Sequence, residues 1–252
     1  MKNIDDYREY FQSEESAIEY DEESYDADTY AAILWEIEQS VLISQILRME
    51  ENKQRIRYLD FACGTGRIVS LLEQYVDKSC GIDISPFMIE QARKKINKTS
   101  LFVGDLTTDG FLIDGTFELI TVFRFVLNAQ IELRDRALRI LSGRLTDENS
   151  ILIFNIHTNK YSYAFLSYIF HKLFGSSANG DEKKYLSLWE GKKIAKRANL
   201  EVIKVNGLGF VSGKFYRIFP RTLLLAIEAQ LARIPLINCL GTDLIFICKK
   251  SD

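Results

Sequence analysis

Asp60, Gly64 and Gly66 form the densest chemical signal in the chain, within the stretch RYLDFACGTGRIVSLLE from Arg57 to Glu73. Gly64 and Gly66 lack the Cβ that would hold a ligand away from the backbone, and both can take positive φ. Asp60, four positions before the first glycine, suits a ligand that carries a positive amino group. A dinucleotide fingerprint needs a third glycine, G-x-G-x-x-G, and that position is Val69. The pyrophosphate reading is weakened accordingly. Asp83 follows nineteen residues after Gly64, where a carboxylate can accept both hydroxyls of a ribose. Alone it would read as a capping or surface residue. Asp105, Arg124 and His157 come later, each just past an apolar run.

These residues need elements to bring them together. Tyr58–Ala62 has the length and makeup of a buried parallel strand, and after the glycines Ile68, Leu71, Leu72 and Tyr75 fall on one helix face. A second strand, Cys80–Ile84, is followed by Ser85 as an N-cap with Pro86 at the first helical position. That helix runs to about Lys95 with Met88 and Ala92 inward. Leu101–Val103 reads as a third strand ending in Gly104-Asp105-Leu106, and Phe117–Val122 as a fourth leading into Phe123-Arg124-Phe125. A helix over Glu132–Ser142 and a fifth strand, Ile151–Asn155, follow, with His157 just beyond. The alternation implies a parallel sheet with right-handed crossovers. Ligands of such sheets bind past the carboxyl ends of the strands, where every candidate falls.

Upstream, Thr29–Met49 is helical in pattern, with Ile33, Ile37, Val41 and Leu42 on one face. After the fifth strand the rhythm breaks. YSYAFLSYIFHKLF, from Tyr161 to Phe174, holds six aromatics and is too short to span a bilayer. A polar loop at Ser176–Lys184, a helix at Ser187–Ala198 and a sixth strand at Leu200–Val205 come next. An amphipathic stretch, Arg221–Ile234, lies between Pro220 and Pro235, and Thr242–Cys248 reads as the last strand.

Leu59-Asp60-Phe61-Ala62-Cys63-Gly64-Thr65-Gly66 resembles motif I of class I S-adenosylmethionine-dependent methyltransferases. The joint spacing of Asp60, Gly64, Gly66, Asp83 and Asp105 extends the resemblance over residues 57–157, whereas across 187–252 it holds only in element order. It implies an α/β, Rossmann-like class I methyltransferase fold with a seven-stranded, mostly parallel sheet whose last strand is antiparallel. It further implies a helical N-terminal arm or lid at 1–50, and a methyltransferase domain at 51–252. The acceptor-side insertions fall after strands 5 and 6, at about 160–184 and 210–240.

The implied cofactor is S-adenosyl-L-methionine, and the implied reaction is O-directed methyl transfer to a small-molecule or glycan-type acceptor. A peripheral-membrane enzyme for a lipid or isoprenoid acceptor, and a catalytically silent cofactor-binding partner, are the alternatives. The resemblance assigns the cofactor to Asp60, Ala62, Cys63, Gly64, Thr65 and Gly66. Asp83, Ile84, Met88, Gly104, Asp105, Leu106 and Phe123 complete its walls, with Asp105 near the adenine amino group and Leu106 on the ring. Tyr20 is expected to close over the cofactor, because related enzymes use an N-terminal helical segment in this way. Arg124 would face the acceptor, and His157 could take the proton from an acceptor hydroxyl. A surface charge and a structural histidine remain open readings of these two.

Composition sets the bounds. A chain of 252 residues with 47% hydrophobic content fits one α/β domain with additions. Cys63, Cys80, Cys239 and Cys248 show no C-x-x-C spacing, and His157 and His171 are fourteen residues apart, so no metal site is expected. Scattered thiols suit a reducing cytosol, and the first thirty residues are acidic rather than basic then apolar, so a cytoplasmic protein without a targeting signal is expected. The net charge of -3 hides an asymmetry: eleven acidic against two basic residues in 1–30, but fifteen basic against seven acidic in 160–252. The dispersal of those basic residues argues against nucleic acid. Lys172, Lys214, Arg217 and Arg221 beside apolar stretches suit weak association with a membrane surface. Acceptor identity and oligomeric state stay open.

Overall fold

The computed structural model describes residues 15, 29–51, 55–108, 113–174, 184–212, 215 and 218–251. Tyr20 and most of the segment before residue 29, the loop at 175–183, and Lys214 and Arg217 lie outside the described residues. Seven strands form one sheet: β1 (Arg57–Phe61), β2 (Lys78–Asp83), β3 (Ser100–Val103), β4 (Leu119–Val122), β5 (Ile151–Ile156), β6 (Leu200–Leu208) and β7 (Asp243–Lys250). Their order is β3-β2-β1-β4-β5-β7-β6. β1 to β5 pair in parallel, and β7 lies antiparallel between β5 and β6, as the resemblance implied.

Alternate strand residues point to opposite faces, and here both faces are apolar. On one face α1 (Tyr30–Glu51) contributes Leu42, Ile46 and Met49, and α2 (Arg67–Leu72) contributes Ile68, Val69 and Leu72. They pack over Tyr58, Leu119, Ile153 and Ile245. The helix ahead of the first strand is therefore a layer of the core. On the other face Ala137, Leu138 and Leu141 of α4 (Ile131–Gly143) share a cluster with Leu59, Ile120, Phe154 and Phe246. Phe154 and Phe246 are directly opposed in the β5–β7 register, and their rings stack at 4.8 Å. Such cross-strand pairs pin register.

α3 (Pro86–Arg93) begins as its sequence requires: the Ser85 hydroxyl accepts the Met88 amide, with Pro86 following. Several boundaries differ from the sequence reading. β1 ends at Phe61 because Ala62 has a φ of 55°, a left-handed turn rather than strand. α2 stops at Leu72, short of Tyr75. There Glu73 draws the chain away, its carboxylate accepting the amides of Asn97, Lys98 and Thr99. β4 starts at Leu119, and Phe117 makes only an isolated bridge to Leu145. β6 continues past Val205 to Leu208, with a register irregularity between Val202 and Lys204.

The aromatic run folds as α5 (Tyr163–Phe174), and α6 (Leu188–Arg197) carries a capping box from Ser187 and Glu190. The second insertion folds as α7 (Arg221–Ala232) and α8 (Pro235–Asn238). Glu228 of α7 is fully buried and fastens this insertion to the sheet. Its carboxylate accepts the amides of Gly209, Phe210 and Val211 at 3.0, 3.1 and 2.9 Å, just past the end of β6. It also accepts the Tyr30 hydroxyl at 2.6 Å, and Arg221 pairs with Glu36 at 2.9 Å. α1 and α7 are thus clamped together at the carboxyl edge of the sheet.

Candidate active site

Read in sheet order, that edge carries Asp105 beyond β3, Asp83 on β2, Asp60 on β1, Arg124 beyond β4 and His157 beyond β5. All five line one cavity of about 350 Å³, within the size range of small-molecule sites. Asp243, the first residue of the reversed β7, stands behind Arg124.

The glycine turn forms one wall. Gly64 has a φ of 54°, and a Cβ built there would meet nothing within 4 Å, so this backbone faces open cavity. Gly66, with a φ of 82°, is different: its Cβ would come within 2.9 Å of Ile96 and 3.0 Å of Ala92. Gly66 does not line the cavity, which corrects its expected place on the wall. Its bare backbone instead lets the turn pack onto the end of α3.

Asp60 lies beneath the turn and is almost fully buried. Its Oδ1 accepts the Thr121 hydroxyl at 2.6 Å, and with that proton committed the Tyr58 hydroxyl must donate to Thr121, also at 2.6 Å. Oδ2 makes no hydrogen bond of good geometry. Burial pushes the Asp60 carboxyl up to about 7, against the pull of these hydroxyls. Asp83 accepts the Gly64 amide at 2.8 Å and the Ser85 amide at 2.9 Å, one on each oxygen. It therefore also holds the glycine turn, a structural task that the sequence reading did not give it. Burial raises Asp83 above the usual carboxylate range, with the amides opposing. Asp105 Oδ1 accepts the Thr107 amide and hydroxyl at 2.8 and 2.6 Å.

The opposite wall is built differently. Arg124 adopts a φ of 58°, unusual for a residue with a long side chain. Its amide donates to Asn155 Oδ1 at 2.8 Å, and its carbonyl accepts from Asn128 at 2.6 Å. The guanidinium lies 3.9 Å from Asp243 Oδ2. His157 is half-buried, and its Nδ1 has no hydrogen-bond partner. Burial, and then the nearby Arg124 charge, bring its imidazole down to about 3, so it stays neutral at ordinary pH.

Among the other sequence candidates, Ala62, Cys63, Thr65, Ile84, Met88, Gly104 and Phe123 all line the cavity. Leu106 does not: it is turned into the apolar cluster below the sheet edge, where an aliphatic side chain gains more from burial. Tyr20 lies outside the described residues. The sequence reading missed Arg67, Ala31 and Asn128, which also line the cavity. Arg67 follows Gly66 directly, a hint available in the sequence. Its guanidinium pairs with Glu38 at 2.6 Å and lies 4.2 Å over the Trp35 ring. Among the described residues no group of three or more His, Cys, Asp or Glu side chains is placed to hold a metal.

With this geometry in hand, the comparisons with known proteins are specific. Residues 59–146 match the family described as "Methyltransferase domain". The magnesium protoporphyrin IX methyltransferase of Synechocystis PCC 6803, solved with bound SAH (S-adenosylhomocysteine), is 16% identical. It superposes with a TM-score of 0.65 over 97% of this chain and 98% of its own. An S-adenosylmethionine-dependent methyltransferase from Clostridium acetobutylicum is 15% identical, with a TM-score of 0.59 over 93% and 98% of the two chains. A TehB-like SAM-dependent methyltransferase from Corynebacterium glutamicum is 17% identical, with a TM-score of 0.51 over 82% and 88%. No curated protein matches the chain in sequence.

The fold is that of class I S-adenosylmethionine-dependent methyltransferases, and the stretch from β1 to just past α4 matches a methyltransferase domain. Enzymes of that fold use S-adenosylmethionine, and the residues present here fit that molecule. The open space where a Gly64 Cβ would stand admits a ligand to the backbone. The bare Oδ2 of Asp60 is a buried acceptor in want of a donor.

Proposed function

We propose that the protein methylates an oxygen of a small-molecule or glycan-type acceptor. The supporting observation is the ordering of charge along one cavity. Carboxylates occupy the β1–β3 half, and Arg124 and His157 occupy the β4–β5 half. The cofactor supplies a methyl group on a positively charged sulfur.

In this reading Asp60 receives the cofactor's amino group, for which its bare oxygen and its burial suit it. Asp83, oriented by the Gly64 and Ser85 amides, keeps its remaining lone pairs for the ribose hydroxyls. Asp105, next along the edge, takes the adenine amino group, and Phe123 closes the wall between the two halves. The N-terminal segment that bears Tyr20 is the lid. Ala31, which lines the cavity from the first turn of α1, supports that role. A neutral His157 with so low an affinity for a proton is a weak base. Its role is to hydrogen-bond the acceptor. Orientation and exclusion of water then account for much of the rate.

The test is binding followed by transfer. Calorimetry should show S-adenosylhomocysteine binding on the order of micromolar, roughly 8 kcal/mol, and methyl-labelled cofactor should label a component of a deproteinised metabolite extract. Binding of NADH without S-adenosylhomocysteine would refute the reading.

A second reading, a peripheral-membrane enzyme for a lipid acceptor, is favoured by exposed apolar side chains near basic ones. Leu166 and Phe170 accompany Lys172, Ile218 and Phe219 accompany Arg221, and Leu236 accompanies Arg233. Among the described residues no helix is long and apolar enough to cross a membrane. Co-sedimentation with anionic liposomes that falls with salt would favour this reading over the first.

A further inference from the structure

Arg124 is held in place with unusual care. A left-handed backbone costs energy for a residue with a long side chain, and such strain persists only where the surroundings fix it. Asn155 supplies much of that fixing. It is fully buried on β5, accepts the Arg124 amide, and donates its Nδ2 toward both oxygens of Asp243 at 3.3 and 3.5 Å. One side chain thus sets both the arginine and the carboxylate behind it. Asn128 adds a third restraint on the Arg124 carbonyl. The result is an arginine on the cavity wall whose side chain is 42% exposed, with its guanidinium at ion-pair rather than hydrogen-bond distance from Asp243. His157 lines the same wall with its unpartnered Nδ1 buried, and Lys184 donates to the Asn128 carbonyl at its outer edge.

That wall offers positive charge and hydrogen bonding, and among the described residues that line it no group suits deprotonation. The carboxylates that line the cavity stand on the other half. Asp60 is buried beneath the glycine turn and in the reading above holds the cofactor's amino group, Asp83 is tied to two amides and given to the ribose, and Asp105 Oδ1 is committed to Thr107. Burial pushes the Cys63 thiol up, so it keeps its proton. Burial and Arg124 hold His157 neutral. An alcohol or phenol would have to give its proton to one of these groups.

We propose that the acceptor's nucleophile is a carboxylate, seated against Arg124 and His157 and converted to its methyl ester without a general base. This rests on the methyltransferase reading above and narrows it to one acceptor class. A planar carboxylate matches the guanidinium fork and can also accept a hydrogen bond from the imidazole. One carboxylate oxygen forms the new bond to the methyl carbon as that carbon's bond to sulfur breaks, and the electron pair leaves with sulfur. No proton moves, and the negative charge of the acceptor cancels the positive charge of the donor.

The test uses the full chain saturated with S-adenosylhomocysteine and benzoate as probe, with benzyl alcohol and benzamide as neutral counterparts. In a chemical-shift titration benzoate should bind roughly tenfold more tightly than either neutral compound, R124Q should abolish the difference, and R124K should keep part of it. Transfer from methyl-labelled S-adenosylmethionine into a deproteinised metabolite extract should give a product that mild alkali releases as methanol. With cofactor saturating, its rate should be flat from about pH 7 to about pH 9, since no proton is abstracted. Equal binding of the neutral compounds, or a product stable to alkali, overturns the assignment. So does a rate that climbs steadily with pH, or an absence of transfer. Failure of the wild type to bind S-adenosylhomocysteine overturns the methyltransferase reading instead. Should R124Q fail to fold, R124K and the comparison of benzoate with its neutral counterparts decide the matter.

Discussion

Replacing Asp83 with alanine should separate two tasks that one carboxylate performs. The residue is about 9% exposed, and its carboxylate accepts the Gly64 amide at 2.8 Å and the Ser85 amide at 2.9 Å. A hydrogen bond to a charged group contributes about 1.5–3 kcal/mol. The site borders the cavity, so water can enter after truncation and the lower figure applies to each bond. The tether is then worth about 3 kcal/mol, which for a chain of this size lowers the melting temperature by roughly 6–12 °C. If Asp83 also binds both ribose hydroxyls, the lost contacts come to about another 3 kcal/mol in affinity, roughly a hundredfold or more. Differential scanning calorimetry reads the first quantity. Titration with S-adenosylhomocysteine, well below the mutant's melting point, reads the second. A protein that melts lower but binds within about threefold of wild type would leave Asp83 a tether only. A protein that binds weakly but melts unchanged would show that the tether energy is wrong. Asp83→Asn is the control: its oxygen can keep one amide while its NH2 opposes the other, so intermediate melting is expected.

The two glycines of the turn should fail in different ways. Gly66→Ala adds overlap with Ala92 and Ile96 to a left-handed φ, so a loss of about 2–4 kcal/mol in urea unfolding is expected. Gly64→Ala bears only the strain of its φ, about 1 kcal/mol, yet its methyl stands in the cavity and should weaken S-adenosylhomocysteine binding by more than tenfold; the reverse pattern would sink this account. Asp60 should make folding and binding respond to pH in opposite senses. Its carboxyl lies at about 7 in the unliganded protein, above roughly 3.9 in the unfolded chain, so its contribution to stability falls as pH rises from about 4 to about 7. A ligand ammonium beside it favours the ionised form, so S-adenosylhomocysteine binding should release a proton, and affinity should climb to about pH 7 and then level. Calorimetry at about pH 6 in buffers of different ionisation heat reads that proton; its absence, or an unchanged profile in Asp60→Asn, would refute the linkage.

The parts of this protein legible in the chain are those whose physics is local. Motif I announces itself because a strand, a glycine turn and a helix are contiguous, and Asp60 and Asp83 each fall near the carboxyl end of an apolar run. Ser85-Pro86 declares a helix start by capping chemistry that needs no tertiary partner. The aromatic run 161–174 could be delimited, though its pattern did not say which residues would be buried.

What the fold alone decided are matters of distance in the chain. Asp243 reads as the ordinary start of a last strand, yet reversal of β7 carries it to the carboxyl edge, behind Arg124. Glu228 looks like one charge on an amphipathic helix, but it is fully buried and holds three amides and Tyr30, 198 residues away. Leu106 and Gly66 carry family-motif identities and still leave the wall, drawn off by apolar burial in one case and by close approach of α3 in the other. Arg124 takes its left-handed backbone because Asn155, thirty-one residues later, is buried where it can accept that amide. Local pattern records which conformations and faces a segment prefers; the partners that override those preferences become neighbours only when the sheet is assembled.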